Sequence, residues 1–113
     1  MRELPKIFGD QSEELATAFL EQEGFGIVER NYFARKLGEI DIIAQKDGVL
    51  HFIEVKSGRA EFDPVYNFGQ GKQMKVIRSA LYYLKSKKIE MAFCIDALII
   101  RHDEVEFIEN VTL

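Results

Sequence analysis

Two apolar segments separated by Asp-Gly constrain the fold of this chain more than any other feature. Residues 38–56 have the sequence GEIDIIAQKDGVLHFIEVK, and Asp47-Gly48 between alternating apolar residues predicts a β-hairpin with a two-residue turn. That turn fixes the register of the hairpin, and the register places Asp41 directly opposite Glu54. The sequence therefore predicts two antiparallel strands with two acidic side chains at one level of the sheet.

Acidic side chains in this arrangement are suited to a bound cation. Like charges directly opposite each other destabilise a sheet, whereas Mg²⁺ prefers oxygen ligands and is often held by one or two carboxylates. Lys56 lies on the same face of its strand as Glu54, where its amine could stabilise a developing charge or position an attacking water. The prediction depends on the turn length, because a third turn residue would move Asp41 to the other face.

The two segments resemble a known nuclease motif. Gly-Glu-Ile-Asp-Ile-Ile-Ala followed by Phe-Ile-Glu-Val-Lys is similar to the core of the PD-(D/E)XK nuclease superfamily, in which an acidic residue precedes Glu-x-Lys. A longer match, from about residue 9 to 96, is to the YraN-like family of small bacterial proteins, whose members resemble archaeal Holliday-junction resolvases. This match includes Glu13, the Glu-Arg-Asn-Tyr at 29–32, and Lys72-Gln73 at the start of a helix.

The resemblance implies a fold and an activity. The fold would be α/β and restriction-endonuclease-like, with three α/β/α layers and a central mixed β-sheet. The activity would be Mg²⁺- or Mn²⁺-dependent hydrolysis of phosphodiester bonds in DNA, with branched or structured DNA as the substrate and a homodimer as the assembly. Asp41 and Glu54 would hold the metal with help from Glu13, Lys56 would activate the attacking water, and Gln73 would support the site.

Structural explanations compete with these roles. Glu13 lies three residues after Asp10, so it could belong to a helix capping box, and the two roles can coexist. Gln73 lies on the apolar face of its predicted helix, but Ile77 departs from the Gln-x-x-x-Tyr pattern of some related nucleases. Asp96 interrupts an apolar strand and has no assigned role. The alternative function is a non-catalytic module that binds nucleic acid or protein on the same fold, and a weaker one is an ion-pair cluster without a ligand.

The charges are unevenly distributed. The net charge is −4, but residues 30–88 carry +6, and residues 1–29 and 89–113 carry −5 each. The basic charge thus lies in the segment that would face phosphates, although a solvated surface would have the same composition. The candidate nucleic-acid contacts are Arg30, Arg35, Lys36, Arg59 and Lys72.

Length and composition predict one domain in the cytoplasm. A chain of 113 residues has room for a single core, here 1–113, and no apolar run approaches the ~20 residues of a membrane span. The N-terminal segment lacks the apolar region of a signal peptide. A single cysteine, Cys94, predicts no internal disulfide and no cysteine-based zinc site. The patterning predicts helices at about 10–23 and 71–85, strands at 25–33, 40–44, 49–56, 91–100 and 105–108, and a loop at 57–68.

Overall fold

Three antiparallel pairings and one parallel pairing build a five-stranded mixed sheet in the computed structural model, which describes residues 12–58, 70–102 and 104–111. The order of the strands across the sheet is their order along the chain. The α/β class predicted from the sequence is therefore confirmed. The elements are α1 (Ser12–Gln22), β1 (Gly26–Phe33), a 3₁₀ turn (Arg35–Leu37), β2 (Glu39–Lys46), β3 (Val49–Gly58), α2 (Gln70–Lys87), β4 (Ala92–Arg101) and β5 (Glu104–Ile108).

The Asp-Gly turn forms as its sequence predicts. Asp47 and Gly48 have φ angles of 52° and 78°, and both are positive, as a type I′ hairpin requires. β2 pairs with β3 in the predicted register as far as Ile42, which lies opposite Ile53. The predicted register is confirmed over these residues, and the predicted pair of Asp41 with Glu54 lies just beyond the last of them.

One helix covers each face of the sheet. Ile53 and Leu98 belong to a core cluster beneath α1, whereas Phe52 and Ile95 belong to a second cluster beneath α2. Neighbouring residues of one strand thus enter different clusters, as the alternation of a strand requires. The structure has the three α/β/α layers that were predicted. The helix residues buried in the two clusters are Leu15, Ala16 and Leu20 of α1, and Val76, Ala80 and Tyr83 of α2.

The parallel pairing follows from the crossover through α2. A helix between β3 and β4 returns the chain to the same end of the sheet, so β4 runs parallel to β3. Residues 95–100 of β4 are all buried, as expected of a continuous apolar strand that is covered on both faces. Within the described part of the chain, neither helix is long and apolar enough to cross a membrane.

The end of α1 determines where the chain turns into the sheet. Gly24 has a φ of 92°, and the N–H of Phe25 bonds to the carbonyl of Leu20 at 3.0 Å, which is the pattern of a glycine-terminated helix. The predicted end of this helix at about residue 23 agrees with the observed end at Gln22 within one residue. Asp10, the predicted capping residue, lies outside the described residues.

Candidate functional site

The alternation of side chains along β2 breaks at Asp41. Ile42 and Ala44 pack beneath α1 and Ile43 packs beneath α2, as in a regular strand, but Ile40 also packs beneath α2. Residues three apart in a regular strand face opposite sides of the sheet. The facing therefore changes between Ile40 and Ile42, and Asp41 lies at the change.

The neighbouring strand is irregular at the same level. Asn31 of β1 has a φ of 53°, and the residues on either side of it, Arg30 and Tyr32, pair with Ile42 and Ile40. Asn31 is thus the neighbour of Asp41 across the sheet. Asparagine is one of the few residues that adopts this left-handed conformation readily, because its short polar side chain forms local hydrogen bonds.

Three carboxylates meet on the α1 side of this irregularity. Oxygen atoms of Glu13, Glu39 and Asp41 all lie within 4.8 Å of one another, and these residues form the acidic cluster. Glu13 comes from the first turn of α1, whereas Glu39 and Asp41 come from β2. A cavity of about 320 Å³ opens beside the cluster. Its lining residues are Ser12, Glu13, Glu14, Arg30, Asn31, Asp41, Val55 and Ser57.

The pKa values of Glu13 and Glu14 are shifted in opposite directions. Burial raises the pKa of Glu13 above its ordinary value, and the charges of Asp41 and Glu39 add to this effect, while Asn31 and Arg30 oppose it. Arg30 donates two hydrogen bonds to Glu14, at 2.7 and 3.1 Å, and these lower the pKa of Glu14. The distance from Arg30 to the nearest oxygen of Glu13 is 3.8 Å. The acidic cluster therefore retains carboxylate repulsion, which a bound cation would relieve.

Asp41 is tied to the backbone between two other predicted site residues. Its Oδ2 accepts a hydrogen bond of 2.8 Å from the N–H of Val55, the residue between Glu54 and Lys56. Val55 packs beneath α1. Because side chains alternate along a strand, those of Glu54 and Lys56 leave β3 on the opposite face, which also carries Phe52 and lies beneath α2.

Unbroken alternation would have put Asp41 on the face of Glu54 and Lys56, and that expectation is wrong. The change of facing turns the Asp41 carboxylate into the gap between β2 and β3 and toward Glu13. Glu54 and Lys56 are half-buried, and they come directly before and after Val55, whose N–H donates this hydrogen bond. That the three side chains share one ion stays a prediction.

The structure describes the side chains of three of the five predicted nucleic-acid contacts, and these lie in two places. Arg30 lies at the acidic cluster and is bonded to Glu14. Arg35 and Lys36 are exposed in the 3₁₀ turn that links β1 to β2, and they line a shallow groove with Phe33, whose exposed fraction is 69%. Arg59 lies outside the described residues. Lys72 and Gln73 lie in the first turn of α2, but their side chains are outside the described part of the structure.

A second group of titratable side chains, which sequence analysis missed, lies elsewhere in the fold. His51 Nδ1 lies 2.5 Å from Oδ2 of Asp96 and 3.1 Å from Sγ of Cys94, and Cys94 Sγ lies 3.2 Å from the other Asp96 oxygen. Asp96 is fully buried, and His51 is nearly so. Burial, followed by the hydrogen bond to Asp96 and its charge, raises the pKa of Cys94 to about 12. Cys94 is therefore a neutral thiol at neutral pH and a weak nucleophile.

The parallel pairing of β3 with β4 brings this second group together. His51 pairs with Cys94 in that register, and Asp96 follows two residues later on the same face. No local sequence pattern sets the register of two strands joined by a long crossover, so the proximity was not predictable. The only signal was Asp96 itself, a charged residue inside an apolar strand.

The fold and the acidic cluster define the class of this protein: a small α/β protein with a carboxylate-rich cavity where two strands of a hairpin diverge. The chain belongs to the family described as Uncharacterised protein family UPF0102, whose model matches residues 12–105. This confirms the resemblance to the YraN-like family at the level of the family.

Relatives in three bacteria share most of the chain. A UPF0102 protein of Sulfurovum sp. (strain NBC37-1) is 79% identical over 113 residues, which cover 100% of both chains. The UPF0102 protein WS0451 of Wolinella succinogenes is 58% identical over 105 residues, 93% of this chain and 95% of that protein. A UPF0102 protein of Helicobacter hepaticus is 54% identical over 105 residues, 93% of this chain and 94% of that protein.

Proposed function

We propose that this protein is a metal-dependent endonuclease that hydrolyses phosphodiester bonds in DNA. The observation that carries the proposal is the position of Asp41, which lies within 4.8 Å of two other carboxylates and is hydrogen-bonded to the backbone between Glu54 and Lys56. Carboxylate oxygens are the ligands that Mg²⁺ and Mn²⁺ prefer. The resemblance of both strands to the PD-(D/E)XK motif supports the same function.

The carboxylates would hold the ion and the lysine would serve the nucleophile. Asp41 and Glu13 would bind the ion from the α1 side. Glu54, which leaves β3 on the other face, would have to turn toward the gap between β2 and β3 to complete the set. The hydrogen bond from Val55 fixes the Asp41 carboxylate, so its second oxygen is oriented without any movement of the backbone. A bound divalent ion lowers the pKa of a coordinated water and neutralises charge on the scissile phosphate.

The reaction is an ordinary hydrolysis. Lys56 positions the water, the water oxygen attacks phosphorus, the bond from phosphorus to the leaving sugar oxygen breaks, and a proton passes to that oxygen. Gln73, at the start of α2, would support the arrangement through a hydrogen bond.

A basic and aromatic surface beside the 3₁₀ turn would contact the DNA. Arg35 and Lys36 follow the end of β1 and can bind phosphates, and Phe33 offers an exposed ring on which an unpaired base can stack. Branched or structured DNA contains such bases, which is consistent with the similarity to Holliday-junction resolvases. By the same similarity, we propose a homodimer that acts in the cytoplasm.

A cleavage screen tests this function. The wild-type protein is incubated with Mg²⁺ or Mn²⁺ and with linear, single-stranded, flap and four-way-junction DNA, beside Lys56→Ala and the control Lys85→Ala, which changes an exposed lysine on α2. We expect metal-dependent cleavage of at least one substrate, a loss of about 100-fold or more in Lys56→Ala, and no change in Lys85→Ala.

Equal cleavage by Lys56→Ala and the wild type would contradict the mechanism. DNA binding without cleavage of any substrate would favour the alternative, a non-catalytic module on the same fold. Circular dichroism and thermal melting of each variant separate loss of function from loss of structure.

A further inference from the structure

We propose that His51, Cys94 and Asp96 form a second metal site, selective for Zn²⁺ or a similar transition metal and separate from the acidic cluster. The three side chains supply a nitrogen, a sulfur and an oxygen, which is a ligand set found in zinc sites and unsuited to Mg²⁺. Their ligand atoms all lie within 4.8 Å of one another. The site does not depend on the nuclease proposal.

The contacts of the histidine favour metal ligation over catalysis by a nucleophile. In a nucleophile–histidine–carboxylate triad, the nucleophile and the carboxylate bond to opposite nitrogens of the imidazole ring. Here Cys94 and Asp96 both approach the same atom, Nδ1 of His51, at 3.1 and 2.5 Å. The nitrogen, sulfur and oxygen atoms therefore form a triangle, as ligands around an ion do, whereas the three members of a triad form a line.

The dimensions of the cluster are close to those of a tetrahedral site. Bonds from zinc of about 2.0 Å to nitrogen or oxygen and about 2.3 Å to sulfur place tetrahedral ligands roughly 3.3–3.5 Å apart. The sulfur–nitrogen and sulfur–oxygen distances of 3.1 and 3.2 Å nearly meet this requirement. The sulfur lies against Oδ1 of Asp96, whereas the contact of 2.5 Å joins His51 Nδ1 to Oδ2. If Oδ2 is the ligand, that contact must open by about 1 Å.

The surroundings hold the ligands in place and leave one side open. Asp96 Oδ1 accepts a hydrogen bond of 2.9 Å from the N–H of Asn110, and the ring of Phe25 packs edge-on against His51 with centroids 5.0 Å apart. Contacts of this kind orient metal ligands in other proteins. A cavity of about 420 Å³ adjoins the cluster, and Glu109 is among its lining residues. This cavity has room for a water that would occupy a fourth position on the ion.

The second site lies at the other end of β3 from the acidic cluster. His51 is four residues before Val55, which corresponds to about 13 Å along the strand. The cysteine count predicts no zinc site because it considers only sites built from several cysteines. It does not bear on a site with one thiolate, one imidazole and one carboxylate, whose ligands come together only through the pairing of β3 with β4.

Cobalt provides a spectroscopic test that needs no enzymatic activity. The complete chain, purified with a chelator and then freed of it, is titrated with Co²⁺ while the thiolate-to-cobalt charge-transfer absorption is recorded in the near ultraviolet. We expect this absorption to saturate at one equivalent and to disappear when Zn²⁺ is added. The thiol proton passes to the buffer as the bond from sulfur to metal forms.

Matched variants assign the ligands. His51→Gln and Asp96→Asn should each weaken Co²⁺ binding by tenfold or more, and the control Lys85→Ala, which changes an exposed lysine on α2, should leave the affinity unchanged. Absence of the charge-transfer absorption at millimolar Co²⁺, or unchanged affinity in both His51→Gln and Asp96→Asn, would overturn the proposal. Cys94→Ser replaces the sulfur by an oxygen with little change in size. If this variant loses the charge-transfer absorption but keeps the melting temperature of the wild type, the sulfur is a ligand.

Discussion

The carboxylate of Asp41 accepts a hydrogen bond of 2.8 Å from the backbone N–H of Val55, so a side chain joins β2 to β3 where the paired region of the hairpin ends. An asparagine can keep this hydrogen bond through its amide oxygen, but it removes the negative charge. Asp41→Asn is therefore a better probe of the site than Asp41→Ala, because it separates the charge from the structural contact.

Mn²⁺ binding measured by calorimetry should depend on the charge of Asp41. We expect one Mn²⁺ per chain with a dissociation constant in the millimolar range or below, and affinity at least tenfold weaker in Asp41→Asn, which is about 1.4 kcal/mol or more. Glu14→Gln is the matched control, because Glu14 lines the same cavity but is bonded to Arg30. Equal affinities for Asp41→Asn and the wild type would remove Asp41 from the metal site.

Stability without metal should respond to Glu13 with a predictable sign. Burial and the charge of Asp41 raise the pKa of Glu13 in the folded state above its ordinary value of 4.5. The ionised form is therefore unfavourable in the folded protein, and stability falls as the pH rises from that value through the raised pKa. Glu13→Gln should thus raise the melting temperature at pH 7, where the free energy of unfolding should increase by less than about 1 kcal/mol. The substitution should have little effect at pH 4.

Glu14→Gln provides a control of opposite sign for that experiment. The hydrogen bonds from Arg30 lower the pKa of Glu14, so the ionised form stabilises the folded state. Its replacement should leave stability at pH 7 unchanged or reduced, and Mg²⁺ should diminish the advantage of Glu13→Gln. A shift in the same direction for both variants at pH 7 would contradict the electrostatic description of the acidic cluster.

The thiol of Cys94 should react slowly in the metal-free protein. Its pKa is raised to about 12 from an ordinary value of 9.0, so the thiolate fraction at pH 7 falls by about 10³-fold. Alkylation by iodoacetamide, followed by mass spectrometry, should be slower than that of a cysteine peptide by this factor or more and should keep rising with pH beyond 10. A rate that levels off near pH 9 would show that neither burial nor Asp96 shifts this thiol.

DNA affinity should depend on the surface beside the 3₁₀ turn. Replacing Arg35 and Lys36 by alanine removes two cations, so the slope of log affinity against log salt should decrease by up to about 1.8 for duplex DNA. The matched control is Lys85→Ala with Lys88→Ala, two exposed lysines near the end of α2. An equal decrease in both double variants, measured by fluorescence anisotropy, would indicate general attraction without a defined surface.

Local sequence signals predicted most of the fold. Asp47-Gly48 permits the positive φ angles of a type I′ turn, so the turn and the register of β2 with β3 followed from two residues. Gly24 marked the end of α1 for the same conformational reason. The apolar length of β4 predicted a strand buried on both faces, which is the position it occupies.

The geometry of both sites was less accessible from the sequence. The change of facing at Asp41 lies beside Asn31, which has a positive φ in the neighbouring strand, and strict alternation could not predict it. It brought Glu39 into the acidic cluster, which strict alternation along β2 would not have done. The approach of His51 to Cys94 required the register of a parallel pair, which the crossover leaves undefined in the sequence.

The rate of metal-dependent DNA cleavage in variants of the three strand acids tests the central claim most directly. With the best substrate from the screen and saturating Mn²⁺, Asp41→Asn and Glu54→Gln should each lose about 100-fold or more, whereas Glu39→Gln, which changes the most exposed acid of the cluster, should lose less than tenfold. Full cleavage by folded Asp41→Asn and Glu54→Gln proteins would contradict a nuclease site where β2 and β3 diverge.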